Sequence, residues 1–266
     1  MEHLPLVSII TVVYNGEKYI EDVIRNVLKQ SYNNIEYIII DGGSTDNTVS
    51  IIKKYEKQIS AWISEKDKGI SDAFNKGIMR SNGEIIGIIN SDDWYEDNAV
   101  EQVVKNIENA DIVYGDMQLW KEKEKDFLVK GDHHFLTREM TVNHPTVFVR
   151  KESYSRLGLF DTRYELAMDY DLMLRFMVNK ARFKYIPVVL ANMRWEGLSD
   201  TKWLKGCRET LSIKNKYLSK RKLLNYLYFY KHVFAIAISK LLRRTRTDFL
   251  IKSYRSKYAK VKKIYE

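Results

Sequence analysis

The chain has 266 residues, of which 45% are hydrophobic and 30% are charged. This length fits one large domain or a domain with an appendage, and the hydrophobic fraction excludes a chain that is disordered throughout. The single cysteine, Cys207, excludes an internal disulfide and a cysteine metal cluster, and it favours a reducing compartment. Residues 1–14 do not have the pattern of a signal peptide, and no apolar stretch reaches the roughly 18 residues that span a bilayer. We therefore expect a cytoplasmic protein.

The net charge of +9 is distributed unevenly along the chain. Residues 220–266 contain 14 Lys and Arg residues against two acidic ones, a local balance of +12, so the remainder carries −3. A basic tail on a mildly acidic body predicts an anionic partner, either a membrane surface or a nucleic acid.

The first half of the chain alternates between strand-like and helix-like segments. Apolar, β-branched runs predict buried strands, and apolar residues at helical spacing predict the helices between them. Repeated β-α-β units indicate an α/β fold with a mostly parallel central sheet and helices on both faces. The predicted strands are 7–14, 35–40, 61–64, 85–89 and 111–114, and the predicted helices are 19–28, 46–55 with Asp46 as N-cap, 71–79 and 100–107.

After Gly115 the pattern changes. Residues 117–130 are charged and loosely alternating, which predicts a small antiparallel excursion. A strand over 146–149 is expected to lead into a helix at Glu152. A helix over 168–178 and a strand over 185–190 follow, and the pattern from about Thr201 to the end is helical.

Polar and acidic residues follow three of the predicted strands, at 15–17, 41–46 and 90–93. Ligands of parallel sheets bind at the carboxyl ends of the strands. Crowded carboxylates there require a cation or hydrogen-bond donors. A nucleotide supplies the donors, and a divalent metal supplies the charge. Gly42 and Gly43 permit positive φ and a close approach of the ligand.

The doublet Asp92–Asp93 ends the fourth strand. Adjacent carboxylates at such a turn suit magnesium or manganese, which prefer oxygen ligands. The alternative interpretation is a solvated helix N-cap. Further along, Asp67 and Asp72 either line the same cleft or belong to a solvated charge run.

Asp169 and Asp171 lie at the start of an apolar helix. They are two residues apart, about 200° around a helix, so they cannot share one face. One of them could serve as a general base if it reaches an acceptor hydroxyl. His144 precedes a predicted strand and has either a structural or a functional role, whereas His133 and His134 are expected to be solvated.

Together these segments resemble the inverting family 2 glycosyltransferases with the GT-A fold. The resemblance spans about residues 7–199 and rests on five blocks in order, residues 8–15, 41–46, 64–77, 90–93 and 168–172. The block at 64–77 resembles the branch that builds bacterial surface polysaccharides. The resemblance implies a catalytic domain over 1–200, with a nucleotide-sugar-binding half (1–115) and an acceptor-binding half (116–200), followed by a basic amphipathic helical extension over 201–266.

The family pattern implies roles for the donor-side residues. Thr11, Tyr14 and Glu17 would border the nucleobase, and Asp41 would read the base edge or the ribose. Asp67 would help to hold the nucleotide. By family habit the donor is a UDP-sugar.

The pattern also implies the residues of the chemical step. Asp92 and Asp93 correspond to the Asp-x-Asp region, which holds the ribose and a Mn²⁺ or Mg²⁺ ion on the diphosphate. Asp169 corresponds to the carboxylate that deprotonates the acceptor hydroxyl for in-line attack, as in a hexosyltransferase. The chain departs from the pattern in having Asn90 for the first Asp and Met168 for a Glu. Residues 195–199 match the family's Gly-rich segment only loosely.

The tail combines an apolar face over 226–242 with flanking Lys and Arg residues. This composition favours the plane of an anionic bilayer, which suits the glycan or lipid-linked sugar acceptors of the family branch. The alternatives are a helix packed on the catalytic domain, a homodimer contact, or nucleic-acid binding, for which no module is recognisable. Two other functions compete with the transferase: a sugar-phosphate nucleotidyltransferase and a catalytically inactive membrane-associated scaffold.

Overall fold

The computed structural model describes residues 4–121, 124–194, 202–244 and 263–264. These residues form a curled mixed sheet with helices on both faces. In chain order the strands are β1 (Val7–Val13), β2 (Ile35–Asp41), β3 (Ala61–Ser64), β4 (Ile85–Asn90), β5 (Trp94–Tyr95), β6 (Ile112–Lys121), β7 (Glu124–Val129), β8 (Phe148–Arg150), β9 (Phe183–Arg194) and β10 (Lys263–Ile264). The α-helices are α1 (Ile20–Leu28), α2 (Thr48–Lys54), α3 (Ile70–Arg80), α4 (Ala99–Asn106), α5 (Lys151–Leu157), α6 (Met168–Val178), α7 (Trp203–Tyr217) and α8 (Lys222–Arg244).

The strand order is β10-β7-β6-β8-β4-β1-β2-β3, and β9 pairs with β6 and β5. Strands β1 to β4 pair in parallel. Strand β8 is antiparallel to both β4 and β6, so β6 and its parallel neighbour β9 run in the same direction as β1. The mostly parallel sheet is therefore confirmed, as is the antiparallel excursion, which is formed by β6 and β7.

Both faces of the central strands are buried, which is why these strands are almost continuously apolar. Every residue of β1 is buried. Ile10 packs on one side with α3 and α6, and Ile9 packs on the other side with α1 and α4. The helices cover the two faces of the sheet but not its edge, where the carboxyl ends of β1, β2 and β4 lead into the loops that carry the acidic residues.

Several local predictions differ from the structure. Helix α2 begins at Thr48 with Asn47 as N-cap, although Asp46 still accepts the Thr48 backbone N–H at 3.0 Å. The strand predicted over 146–149 begins only at Phe148, because Pro145 lies in a 3-10 turn over His144–Thr146.

Two further predictions need correction. His134 is exposed as predicted, but His133 is only partly exposed: its ring stacks on Phe183 at 5.2 Å, and its Nδ1 lies 2.8 Å from the Tyr114 hydroxyl. The tail is not helical to its end, because β10 pairs antiparallel with β7. The predicted Gly-rich segment at 195–199 lies outside the described residues.

Helix α7 is attached to α6 by buried polar contacts. The fully buried Asp171 is 3.1 Å from Lys216 Nζ, accepts the Tyr217 hydroxyl at 3.0 Å, and pairs with Arg175 at 3.3 Å. Glu209 of α7 accepts the backbone N–H groups of Leu166 and Ala167 at 2.8 and 2.9 Å, just before α6 begins. The domain boundary at residue 200 stays a prediction.

Helix α8 presents apolar residues in two directions. One set, with Tyr228, Phe229 and His232, lines a cavity of about 350 Å³ against α7. Another set is exposed and includes Leu227, 59% exposed, and Phe234, 67% exposed. Across the part of the chain that the structure describes, no helix combines the length and the apolar character needed to cross a bilayer.

Candidate active site

The loops after β1 and β2 are joined by hydrogen bonds. Asn15, at φ 51°, donates its backbone N–H to Ser44 Oγ at 2.7 Å and accepts the Thr45 N–H on its side-chain oxygen at 2.9 Å. The Glu17 carboxylate accepts the backbone N–H and the side-chain amide of Asn47 at 2.9 and 2.8 Å. The two loops therefore form one wall, and Glu17 helps to hold it together.

Asp41 is fully buried at the end of β2, and both of its carboxylate oxygens are occupied. Oδ2 accepts the backbone N–H groups of Gly43 and Ser44 at 3.1 and 3.0 Å and the Ser64 hydroxyl at 2.6 Å. Oδ1 accepts the Ser44 hydroxyl. In this arrangement Asp41 shapes the Gly42–Gly43 turn, and its oxygens face protein donors.

Tyr14, Gly42 and Asp67 meet at the surface of this wall. A Cβ atom added to Gly42 would lie 2.4 Å from Asp67 Oδ2 and 3.5 Å from Tyr14 Cδ2, so a larger residue there would displace the Asp67 carboxylate. Tyr14 is 63% exposed, which leaves its ring free for a planar ligand group. Thr11, by contrast, is fully buried, with its hydroxyl 3.0 Å from that of Tyr37.

Asp67 precedes α3, and Asp72 lies in the first turn of this helix. Asp67 accepts the Gly69 N–H at 2.9 Å, and Asp72 accepts the Lys68 N–H at 3.1 Å and pairs with Lys76. Both carboxylates therefore help to start the helix. Their shared role in a ligand cleft stays a prediction.

Asn90, Asp92 and Asp93 lie where β4 ends. Asp93 is 2% exposed; its burial first, and the neighbouring charge of Asp92 second, raise the pKa of its carboxyl to about 8. Asn90 donates to Asp93 Oδ2 at 3.1 Å, while Asn90 Oδ1 is buried and has no hydrogen-bond partner among the described residues. An unpaired amide oxygen beside two crowded carboxylates fits a hard divalent cation, which would bind that oxygen and offset the negative charge of the carboxylates.

Arg194, at the end of β9, places a positive charge beside this acidic doublet. Its guanidinium lies 4.1 Å from the ring centre of Tyr19 and 4.5 Å from that of Trp94, and it donates to the Asp92 backbone carbonyl. A guanidinium at this place suits a diphosphate. The sequence does not single out Arg194, because the strand predicted over 185–190 ends before it, whereas β9 extends to Arg194.

Asp169 lies in the first turn of α6. Its Oδ1 is buried without a hydrogen-bond partner among the described residues, and His144 Nε2 lies 3.8 Å from it. Burial raises the pKa of the Asp169 carboxyl, and His144 lowers it in part. A quarter of the side chain remains exposed, so a substrate can reach it. Asp171 points to α7 instead, as the helical spacing predicts.

The amino-acid sequence matches the model of a known protein family. The model for glycosyl transferase family 2 matches residues 8–160, which is more than half of the 266 residues. The chain belongs to glycosyl transferase family 2.

Relatives of this family 2 chain are also glycosyltransferases. An uncharacterised glycosyltransferase of Rickettsia typhi is 32% identical over 65% of the chain and 59% of its own length. The match to this relative therefore spans less than two thirds of it. A PGL/p-HBAD biosynthesis glycosyltransferase of Mycobacterium tuberculosis is 27% identical over 74% of the chain and 80% of its own length.

Solved structures show that the family 2 chain has the GT-A fold. The mannosyltransferase PcManGT from Pyrobaculum calidifontis, in complex with GDP-Man and Mn²⁺, matches with a TM-score of 0.65 over 96% of this chain and 83% of its own, at 17% identity. S. aureus TarS 1-349 in complex with UDP-GlcNAc matches with a TM-score of 0.64 over 84% and 73%, at 17% identity.

A second set of potential metal ligands in this family 2 chain is formed by Asp132, His133 and His134, whose ligand atoms lie within 4.8 Å of one another. Asp132 accepts the backbone N–H of His134 at 3.0 Å. Because one nitrogen of His133 also contacts Tyr114, this set has fewer free ligand atoms than its composition suggests.

Proposed function

We propose that the chain transfers a hexose from a nucleoside diphosphate sugar to a hydroxyl of a glycan or of a lipid-linked oligosaccharide, with inversion and with a divalent metal, in polysaccharide biosynthesis. The observation that carries this proposal is a pair of buried oxygens without a hydrogen-bond partner among the described residues, Asn90 Oδ1 beside Asp93 and Asp169 Oδ1 at α6. Unsatisfied buried polar groups are rare and concentrate where ligands bind.

The donor would lie on the wall formed by the loops after β1 and β2. Tyr14 and Asp67 flank the turn at Gly42, where a nucleobase can approach the backbone. Arg194 faces the diphosphate, and Asp92, Asp93 and Asn90 would hold Mn²⁺ or Mg²⁺. When bound, the metal supplies positive charge to the departing diphosphate. The carriers in the two structural matches, UDP and GDP, support a nucleoside diphosphate, and family habit favours UDP.

The acceptor hydroxyl would lie at Asp169. Its proton passes to an Asp169 oxygen as the hydroxyl oxygen forms a bond to the anomeric carbon, and the bond from that carbon to the phosphate oxygen breaks. The nucleoside diphosphate leaves with the bonding electrons. A single displacement of this kind inverts the anomeric configuration. Burial raises the pKa of the Asp169 carboxyl, which makes its carboxylate a stronger general base.

The exposed side of α8 supports a peripheral position at an anionic membrane. Leu223, Leu227, Tyr230 and Phe234 are all more than half exposed and recur at helical spacing. Basic residues precede them at 220–222, so the helix combines apolar and cationic groups as interfacial helices do. The opposite side packs on the body, where Tyr228 donates to Glu139 at 3.0 Å.

The test is calorimetric binding of a panel of nucleotides and nucleotide sugars, with and without Mn²⁺, followed by product analysis with the preferred donor. We expect metal-dependent binding of one nucleoside diphosphate sugar and release of the nucleoside diphosphate. Binding of a nucleoside triphosphate with release of pyrophosphate would instead indicate a nucleotidyltransferase. A folded sample that binds no nucleotide would indicate a scaffold.

A second test addresses the membrane. Deleting residues 220–266 removes α8 and β10 and keeps the α7 residues Lys216 and Tyr217, which contact Asp171 of α6. We expect the truncated protein to lose binding to vesicles that contain anionic lipid and to keep its donor affinity. Unchanged vesicle binding would assign α8 to intramolecular or dimer contacts.

A further inference from the structure

His144 is held in one orientation by two aromatic rings. Its imidazole ring stacks on the ring of Phe74, with ring centres 5.0 Å apart. It also makes an edge-to-face contact with the ring of Phe160, with ring centres 6.1 Å apart. Its side chain is only 12% exposed, and it lies in the 3-10 turn that Pro145 stabilises. A histidine confined in this way has already lost its rotamer freedom, so its Nε2 keeps a fixed direction toward Asp169.

Asp169 requires a hydrogen-bond donor at the same place. Its Oδ1 is buried and has no hydrogen bond within the described part of the chain, which is costly for a carboxylate oxygen. The distance from His144 Nε2 to this oxygen is 3.8 Å, about 1 Å longer than a charge-assisted hydrogen bond. Hydrogen bonds of active sites are often long without substrate and shorten in the complex.

We propose that His144 is the positioning residue for Asp169. Its Nε2–H bonds Oδ1 when the acceptor binds, fixes the plane of the carboxylate and leaves Oδ2 to face the acceptor hydroxyl. In the reaction the acceptor proton moves to Oδ2, while His144 keeps its own Nε2 proton. This inference rests on the proposed function, in which Asp169 is the base.

The surroundings leave His144 as the main charged neighbour of Asp169. Helix α3 contributes the uncharged Phe74, and α5 contributes Tyr154, whose pKa is raised by burial and by the charge of Asp169. Asp171, on the same helix as Asp169, is engaged with Arg175, Lys216 and Tyr217 on the α7 side. Protonated His144 therefore stabilises the Asp169 carboxylate, and its loss would shift ionisation of that carboxyl to higher pH.

The experiment compares three variants with the wild type. His144→Gln keeps an N–H donor near the Nε2 position but cannot carry a charge, and His144→Leu removes the donor. Phe160→Leu is the control for packing, because it loosens the aromatic surroundings and changes no polar group. For each protein, kcat and KM for the acceptor are measured across pH 5 to 9 (about the range in which His and perturbed carboxyls titrate), together with the melting temperature.

We expect His144→Leu to lower kcat by about 10- to 100-fold with little change in KM, the usual effect of removing a supporting partner. His144→Gln should recover most of this loss but should move the acidic limb of kcat/KM to higher pH. Phe160→Leu should lower the melting temperature and leave the acidic limb in place. Equal losses in Phe160→Leu and His144→Leu, with the same pH profile, would overturn the proposal.

A measurement that needs no activity separates this proposal from the proposed function. In protein labelled with ¹³C at the aspartate carboxyl carbons, the Asp169 signal, assigned with Asp169→Asn, is titrated in the wild type and in His144→Gln. We expect the titration of Asp169 to move to higher pH in His144→Gln. An unchanged titration would overturn the coupling of the two residues even in an active enzyme. A shifted titration in a chain that transfers no sugar would keep the coupling and reject the proposed function.

Discussion

The end of β2 and the start of α6 each hold an aspartate with a buried carboxylate oxygen, and the two differ in what their carboxylates contact. Asp41 accepts hydrogen bonds from two backbone N–H groups and two hydroxyls. Asp169 has an Oδ1 with no hydrogen bond within the described residues, and His144 Nε2 lies 3.8 Å from it. A satisfied carboxylate maintains the shape of a loop, whereas an unsatisfied one is available for chemistry. Beside Asp93, the side-chain oxygen of Asn90 resembles Asp169 Oδ1 in this respect.

The strongest test of this comparison is Asp169→Asn. The amide cannot accept the acceptor proton, so we expect transfer to fall by about 10²- to 10⁴-fold, the usual contribution of a general base. Because the donor wall is formed by other loops, calorimetric affinity for the donor should be retained. Near-normal turnover would remove Asp169 from the chemical step.

Asp41→Ala should lower the free energy of unfolding. The change leaves several buried donors without an acceptor, and we expect a loss on the order of 3 kcal/mol in the free energy of unfolding, measured by urea denaturation. Asp46→Ala, which removes a helix-cap contact nearby, is the matched control and should cost about 1 kcal/mol. If Asp41→Ala instead abolished donor binding at unchanged stability, Asp41 would contact the nucleotide directly, as the family pattern implies.

Metal binding should depend on pH through Asp93. With a carboxyl pKa of about 8, the metal must displace a proton at lower pH, so affinity for Mn²⁺ should fall about tenfold for each pH unit below 8. Calorimetry at pH 6, 7 and 8, in buffers of different ionisation enthalpy, measures both the affinity and the proton release. In Asp93→Asn the pH dependence should disappear; its persistence would point to other ligands.

The smallest effect is expected on the outer side of α8. Phe234→Ser replaces a side chain that is 67% exposed, so it should weaken vesicle binding by a few-fold and change stability by less than about 0.5 kcal/mol. Phe229→Ser is the matched control, because Phe229 lines the cavity against α7. This variant should lower the melting temperature and keep vesicle binding. If Phe229→Ser weakened vesicle binding and Phe234→Ser lowered the melting temperature, the side of α8 that contains Phe229 would be the membrane-binding side.

The sequence predicts the order of the elements and the places where acids cluster, because strand and helix periodicity are local properties. It does not predict the partners of those acids. The donors to Asp41 include Ser64, 23 residues away, and His144 meets Asp169 from a turn 25 residues earlier in the chain. Arg194 reaches Asp92 from the last long strand. Such contacts depend on how the sheet curls and the helices pack, which spacing alone does not encode.

The bonds from Glu209 to the backbone before α6 have a consequence for synthesis. The backbone N–H groups of Leu166 and Ala167, just before the helix that carries Asp169, donate to Glu209 of α7. Glu209 lies some forty residues later in the chain. Domains form from the N-terminus as the ribosome releases them. The nucleotide-binding loops can therefore mature while these N–H groups still lack their acceptor, and the capacity for chemistry arises only after Glu209 has left the ribosome. A nascent chain would thus become able to hold a donor before it becomes able to use one.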